Sequence, residues 1–289
     1  MNRLFYINIT FSCNNNCLYC ISHNTNKRGE KIKALELLKL TDYSFNFSAN
    51  DKIIVSGGEP TLCDEFESII RFLSPKINEI VIYTNGTNNL IPFFPNTNWI
   101  VSIYGLEPTH SYLSGNHKAF PLVKKNLVNI QKPNQNNVTL KIILNDRISN
   151  AELFSILDFA KTLGIRKIHV SCLNDRIHDS KWRYYTCIKH KDFLSTLIVS
   201  DFYVKLSNIP ICFDTSFFEI INSFPIVEGE CFSEYFIVKK AGAQKINYDS
   251  LHYWYTYCTN CKLHSFCRDT NISYRILQIK NKTKSIVGE

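Results

Sequence analysis

The stretch Leu4-Phe5-Tyr6-Ile7-Asn8-Ile9-Thr10 runs straight into Phe11-Ser12-Cys13-Asn14-Asn15-Asn16-Cys17-Leu18-Tyr19-Cys20. Its first half alternates in the manner of a strand. Its second half sets three thiols at C-x3-C-x2-C spacing, among asparagines that suit a loop because their side chains bond locally to backbone. Iron–sulfur clusters are held by Cys thiolates, normally four. A tight loop that supplies three leaves one iron open, as catalytic metal sites keep a position for a small molecule. Zinc is the plainer rival, although zinc sites favour paired C-x2-C and usually recruit His.

Working outward, strand-like runs are expected at Leu4–Thr10, Lys52–Ser56, Glu79–Tyr83, Trp99–Tyr104, Val138–Leu144 and Lys167–Cys172. Amphipathic stretches near Ala34–Leu40, Glu65–Leu73, Phe120–Ile130 and Ala151–Leu163 read as helices, the last stopping at Gly164. Repeated strand–helix alternation implies an α/β fold with a parallel sheet and right-handed crossovers. Six such units predict a partial (β/α)6 TIM-like barrel, with the cysteine loop at its C-terminal mouth. His190–Tyr203 reads as one more helix or helix–strand unit. Beyond it the pattern becomes short apolar segments punctuated by cysteines. We therefore expect a barrel over 1–205 and a small cysteine-rich extension over 206–289.

Composition fits an ordinary folded chain, at 45% hydrophobic and 13% aromatic. No apolar run approaches the length of a membrane span, and no secretory segment is visible, so a cytoplasmic location is expected. In that compartment thiols stay reduced, which sets the eleven cysteines against a disulfide framework and toward metal. The net charge is +8. Lys161, Arg166, Lys167, Arg176, Lys181, Arg183, Lys189 and Lys191 oppose only Asp175 and Asp179 across one stretch. That stretch is a solvated face or a steering surface for an acidic peptide. His169 and His178 within it read as surface residues, and no nucleic-acid motif is visible.

A second motif, Val55-Ser56-Gly57-Gly58-Glu59-Pro60-Thr61, follows the second strand. Glycines let backbone approach a ligand, and Glu59 can accept hydrogen bonds from an ammonium group. Together the thiol loop, with Tyr19 just before Cys20, and this GGEP segment resemble the signature of the radical S-adenosylmethionine (SAM) superfamily. The resemblance implies a [4Fe–4S] cluster on Cys13, Cys17 and Cys20, with SAM chelating the open iron through its methionyl amine and carboxylate. It places Tyr19 near the adenine and assigns Gly57, Gly58 and Glu59 to the amine. By similarity, Asn85 of Thr84-Asn85-Gly86-Thr87 would line the pocket, and Ser102 of Val101-Ser102-Ile103 would face the ribose or carboxylate. The stretch from His110 through Gly115 to Phe120 also fits. Reductive cleavage of SAM would release a 5′-deoxyadenosyl radical, with the electron coming from a donor such as flavodoxin or ferredoxin.

Tyr257-Cys258-Thr259-Asn260-Cys261 through Phe266-Cys267 gives C-x2-C-x5-C, with Cys212 and Cys231 upstream. This resembles the SPASM or shorter twitch extension that carries auxiliary clusters. The departures matter: Asn247 and Asn271 stand where a full SPASM pattern would have cysteines. One auxiliary [4Fe–4S] cluster is therefore expected, drawn from Cys212, Cys231, Cys258, Cys261 and Cys267. A structural zinc site using His264 or Cys231 is the alternative. Cys172, at the end of the sixth strand, is a candidate hydrogen-atom donor to a substrate radical, or simply a small buried hydrophobe.

The reaction expected is hydrogen abstraction by a SAM-derived radical. The first reading of the substrate is a ribosomally made peptide, with an acidic leader on the basic stretch, receiving a crosslink, thioether or epimerisation. The second is dehydrogenation or rearrangement of a small molecule such as a sugar or aminoglycoside. A non-enzymatic iron–sulfur or zinc protein that only binds partners is the third.

Overall fold

The computed structural model describes residues 3–20, 33–90, 95–130, 137–172, 180–207, 209, 226–227, 234–239, 242–246 and 277–279. Its strands are β1 (Arg3–Thr10), β2 (Lys52–Gly57), β3 (Glu79–Thr84), β4 (Thr97–Ile103), β5 (Val138–Leu144), β6 (Lys167–Cys172) and β7 (Tyr203–Ser207). Four shorter ones follow: β8 (Ile226–Val227), β9 (Glu234–Lys239), β10 (Gly242–Ile246) and β11 (Leu277–Ile279). The helices are α1 (Ala34–Phe45), α2 (Phe66–Leu73), α3 (Thr109–Ser114), α4 (Ala119–Asn129), α5 (Asn150–Thr162), α6 (Ser180–Lys189) and α7 (Lys191–Ile198). The six expected strands are all found, with ends shifted by a residue or two. His190–Tyr203 resolves into α7 followed by the start of β7. The α/β class with alternating parallel strands and helices stands as read.

The chain forms two compact units. The first gathers Met1–Ser102, His110–Val138 and Phe232–His252, and the second Ile103–Thr109, Thr139–Cys231 and Tyr253–Glu289. In the first, the strand order is β10-β9-β1-β2-β3-β4. Neighbours from β9 to β4 run parallel, and only β10 is antiparallel. In the second the order is β5-β6-β7-β11-β8, with β11 antiparallel to both its neighbours. Residues 234–246, placed by sequence in the extension, thus lengthen the edge of β1, where Phe236 stacks on Phe5 at 4.9 Å.

Strand alternation explains the core. In β1, Phe5, Ile7 and Ile9 are buried, while Tyr6 and Asn8 take the other face. In α5, Leu153, Ile156, Leu157 and Ala160 are buried, the stripe a 3.6-residue period requires. Ser149 caps its start by accepting from the Glu152 amide. Phe154, half-buried beside this stripe, meets Phe193 edge-on at 5.6 Å.

One ion pair anchors the entry of β1. Arg3 grips Asp51 with two hydrogen bonds, of 2.9 and 2.6 Å, and donates to the Phe45 carbonyl at the end of α1. The Asp51 side chain is fully buried. Burial alone would raise its carboxyl pKa, but hydrogen bonds from Arg3 and Ser48 and the Arg3 charge outweigh that and hold it below 3.8. A depressed carboxylate contributes stability above its unfolded pKa and loses it as pH falls through the lower folded value. Asp51→Asn should therefore cost about 3 kcal/mol near pH 7, the usual scale for breaking a buried pair. In urea unfolding, the gap to the wild type should narrow below about pH 4; a gap that stays constant with pH would refute this account.

Candidate active site

The thiol loop leaves β1 at Thr10 and is tied to the end of β2 by backbone. The Gly58 amide donates to the Thr10 carbonyl and the Glu59 amide to the Ser12 carbonyl, both at 2.8 Å. This approach leaves no room for side chains. A Cβ on Gly57 would lie 2.2 Å from the Thr10 oxygen, and one on Gly58 2.2 Å from the Ser12 oxygen. Gly57 also has φ 136°, a conformation side chains avoid. The glycine pair thus has a structural duty that stands apart from any ligand.

The far side of the loop is held by the turn after α3. The Asn16 amide donates to Ser114 and the Leu18 amide to Leu113, at 2.8 and 2.9 Å. Gly115, at φ 60°, would push a Cβ to 2.5 Å from the Asn16 carbonyl oxygen. Asn116 then donates to the Asn15 side chain at 2.8 Å and to the Asn14 carbonyl. The sequence had offered Gly115 only as part of a family match. Its αL conformation and close approach could not be read from a lone Gly.

Glu59 joins the loop to β3. It is fully buried, with relative exposure 0%. One oxygen accepts from the Thr61 amide, the Thr61 hydroxyl and the Thr84 hydroxyl, and the other from the Asn85 amide at 2.7 Å. Burial raises its pKa, and those four hydrogen bonds work in the opposite direction without cancelling the rise. Asn85 in turn donates to the Asn14 side chain at 2.8 Å and, at 3.9 Å, to the Cys13 sulfur. Thr87 donates to Asn85 and accepts from Asn14. The asparagine run of the loop is therefore a set of fixed hydrogen-bonding partners.

Cys13, Cys17 and Cys20 are each half-buried. They sit on one loop with their sulfurs partly open, and the Asn15 amide points at the Cys13 sulfur, 3.5 Å away. Among the described residues, no group of three or more His, Cys, Asp or Glu side chains converges on a point where one metal ion would sit. A cubane cluster does not need that convergence, because its three thiolates bind three different irons. The donor set and its backbone clamps fit such a cluster. Tyr19 is half-buried on the same loop, and Ser102 is half-buried on the β4 face that also carries Asn98 and Ile100. Cys212, Cys231, Cys258, Cys261 and Cys267 lie outside the described residues, as does His178.

In the second unit, Cys172 is buried, 3.2 Å from the Cys187 sulfur. Strand alternation puts it with Ile168 and Val170, on the face opposite His169 and Ser171. His169, expected at the surface, is 3% exposed. The error came from the charges around it: Lys161, Arg166 and Lys189 are indeed exposed, whereas His169 occupies the middle of a covered strand.

Residues 7–94 match the model of the radical SAM superfamily. A probable GTP 3′,8-cyclase of Methanocella arvoryzae is 35% identical over 81 residues, 28% of this chain and 26% of the relative. The GTP 3′,8-cyclase of Pasteurella multocida is 33% identical over 90 residues, 29% and 27% of the two chains. The chain thus aligns with about a quarter of the length of these relatives. Among solved structures, Streptococcus suis SuiB bound to precursor peptide SuiA overlays with TM-score 0.58 at 13% identity, covering 91% of this chain and 70% of that one. Native anSMEcpe with AdoMet and the Cp18Cys peptide gives 0.54 at 18%, covering 68% and 59%. At such identities the likeness establishes the shared fold. Residues 7–94 are thus similar to the radical SAM superfamily, and the chain's strand–helix pattern is that of the partial TIM barrel.

Glu59→Gln tests the joint between loop and strand. An amide nitrogen would face groups that all donate at present, leaving at least one buried polar group unsatisfied. The expected cost is about 1–3 kcal/mol, read as a lowered denaturation midpoint. A variant as stable as the wild type would show that the joint is dispensable.

Proposed function

We propose that this chain is a radical SAM enzyme, which reductively cleaves SAM and uses the resulting 5′-deoxyadenosyl radical to abstract hydrogen from a substrate. The observation that carries this is the clamped thiol loop: three half-buried cysteines, tied on one side by Gly58 and Glu59 and on the other by Leu113 and Ser114. Cys13, Cys17 and Cys20 would hold a [4Fe–4S] cluster, which, when bound, supplies the electron and an open iron for the SAM amine and carboxylate. The chain's own residues position and shield. The Gly57–Gly58 backbone lies beside the loop and offers carbonyls to the methionyl amine. Glu59 holds that backbone in place through Thr61, Thr84 and Asn85, and its second oxygen, with one donor, keeps capacity for an ammonium. Tyr19 would pack near the adenine, with Asn85 and Ser102 along the pocket.

The proposal includes one auxiliary [4Fe–4S] cluster from Cys212, Cys231, Cys258, Cys261 and Cys267, and an external reductant such as flavodoxin or ferredoxin. It leaves the quenching of the product radical without a residue, because Cys172 shares its strand face with Ile168 and Val170. For the substrate, a ribosomally made peptide is the reading supported by neighbours crystallised with peptides. A small anionic molecule is the second reading. It is favoured by a row of bases on β5–β7 and by relatives named for a nucleotide substrate.

Anaerobic reconstitution with a reductant should yield 5′-deoxyadenosine from SAM, and the Cys13→Ala/Cys17→Ala/Cys20→Ala triple variant should yield none. Iron and sulfide near eight atoms each per chain would support two clusters, and about four with zinc would replace the auxiliary one. Cluster-loaded protein that leaves SAM intact under reduction would overturn the proposal.

A further inference from the structure

The second unit holds a grouping that the radical chemistry does not use. Lys141 on β5 pairs in register with His169 on β6, and His169 with Lys205 on β7. Alternation places Thr139, Lys167, Ser171 and Ser207 on the same face, with Ile143 and Tyr203 at its ends. The opposite face carries Leu140, Ile142, Ile168, Val170, Val204 and Leu206, all buried. Among the described positions of β5, β6 and β7 on the basic face, none is a carboxylate.

Lys141 and Lys205 thus flank His169, each one strand away from it. His169 supplies an independent sign. Its Nε2 lies 2.8 Å from the Ser207 hydroxyl. Its Nδ1, on a residue only 3% exposed, has no hydrogen-bond partner among the described residues. A buried polar atom left this way is costly unless something arrives to meet it.

We propose that the β5–β6–β7 face is an oxyanion site that takes the phosphoryl groups of a phosphorylated small molecule, through Lys141, His169 and Lys205. With the Ser207 hydroxyl donating to Nε2, the histidine presents Nδ1–H as a donor. Burial first, then the charges of Lys141 and Lys205, hold the His169 pKa well below 6.5, so the ring stays neutral and donates a single proton. Burial draws Lys141 down to about 8, which leaves it mostly charged at neutral pH. Lysine ammonium groups bind phosphate as compact point charges. Neighbouring strands lie about 4.8 Å apart, so the outer lysines are rooted about 10 Å from each other. That span suits consecutive phosphoryl groups better than one carboxylate.

This deepens the small-molecule reading of the substrate, and its test does not involve the radical step. The probe is inorganic tripolyphosphate, titrated calorimetrically into the full reconstituted chain without reductant, at matched ionic strength. Saturable binding is expected, weakened at least tenfold in Lys141→Met and in Lys205→Met. Circular dichroism and thermal melting of both variants check that each keeps the wild-type fold. His169→Gln is the further variant should one of the lysine changes fail to fold, and it should also weaken binding. No saturable binding, binding unchanged in the variants, or tighter capture of a hexaglutamate peptide than of tripolyphosphate would each overturn the site. Protein that binds tripolyphosphate but makes no 5′-deoxyadenosine supports this site while overturning the activity proposed above. The reverse result overturns this site alone.

Discussion

Everything at the candidate site depends on how closely two pieces of backbone approach each other. The segment after β2 donates from the Gly58 and Glu59 amides to the Thr10 and Ser12 carbonyls of the chain leaving β1, at a separation that a single methyl group would breach. A thiol loop detached from such support would be a flexible loop, and flexible loops hold ligands imprecisely. Here the backbone itself fixes Cys13 and Cys17, from β2 on one side and from the α3 turn on the other. The loop's own side chains then complete the arrangement through Asn14, Asn85 and Thr87. Precision comes from hydrogen bonds that the chain makes whether or not a cofactor is bound.

Glu59 shows the cost and the reason of such an arrangement. A fully buried carboxylate is expensive unless its lone pairs are met. Two threonine hydroxyls and two backbone amides meet them, and the pKa still moves upward because burial outweighs the donors. What the chain gains is a rigid link from the loop to β3, passing through Asn85 to the Cys13 sulfur. Were Cys13 to hold the proposed cluster, that hydrogen bond would bear on its reduction potential, as bonds to cluster sulfurs do. The same carboxylate therefore connects the architecture of two strands to the environment of one thiolate.

Much of this was legible in the sequence, for a physical reason. Strands and helices announce themselves by local periodicity, so β5 and β6 were placed to the residue and α5 to within one. The thiol spacing and the glycine pair are equally local. Interactions between distant segments are what the sequence conceals. Nothing in Glu234–Lys239 indicates that it pairs in parallel with β1, because a parallel partner is set by topology and leaves no mark on neighbouring residues. Gly115 and Asn116 were hidden for the same reason, since their meaning depends on Asn14, Asn15 and Asn16 arriving from a hundred residues upstream. His169 was misjudged because a cluster of charges was read as one exposed face, when a strand divides its residues between two.

That division is the last step linking sequence to chemistry. In a parallel strand backed by helices, one set of alternate residues must be apolar and the other is released from that demand. On β5, β6 and β7 the released set includes Thr139, Lys141, Lys167, His169, Ser171, Lys205 and Ser207 beside Ile143 and Tyr203, and on β1, β2 and β4 it includes Tyr6, Asn8, Ser56, Asn98 and Ser102 beside Ile100. Both units thus keep one face apolar for packing and carry their polar strand residues mainly on the opposite one. The two differ in charge. On the first unit's strands the released residues named here are neutral hydroxyls and amides, and Lys52 and Glu79 close on each other in an ion pair at 2.8 Å. The second places Lys141, His169 and Lys205 in register. An α/β scaffold of this kind can therefore pack both units by the same rule and still give their polar faces different chemistry.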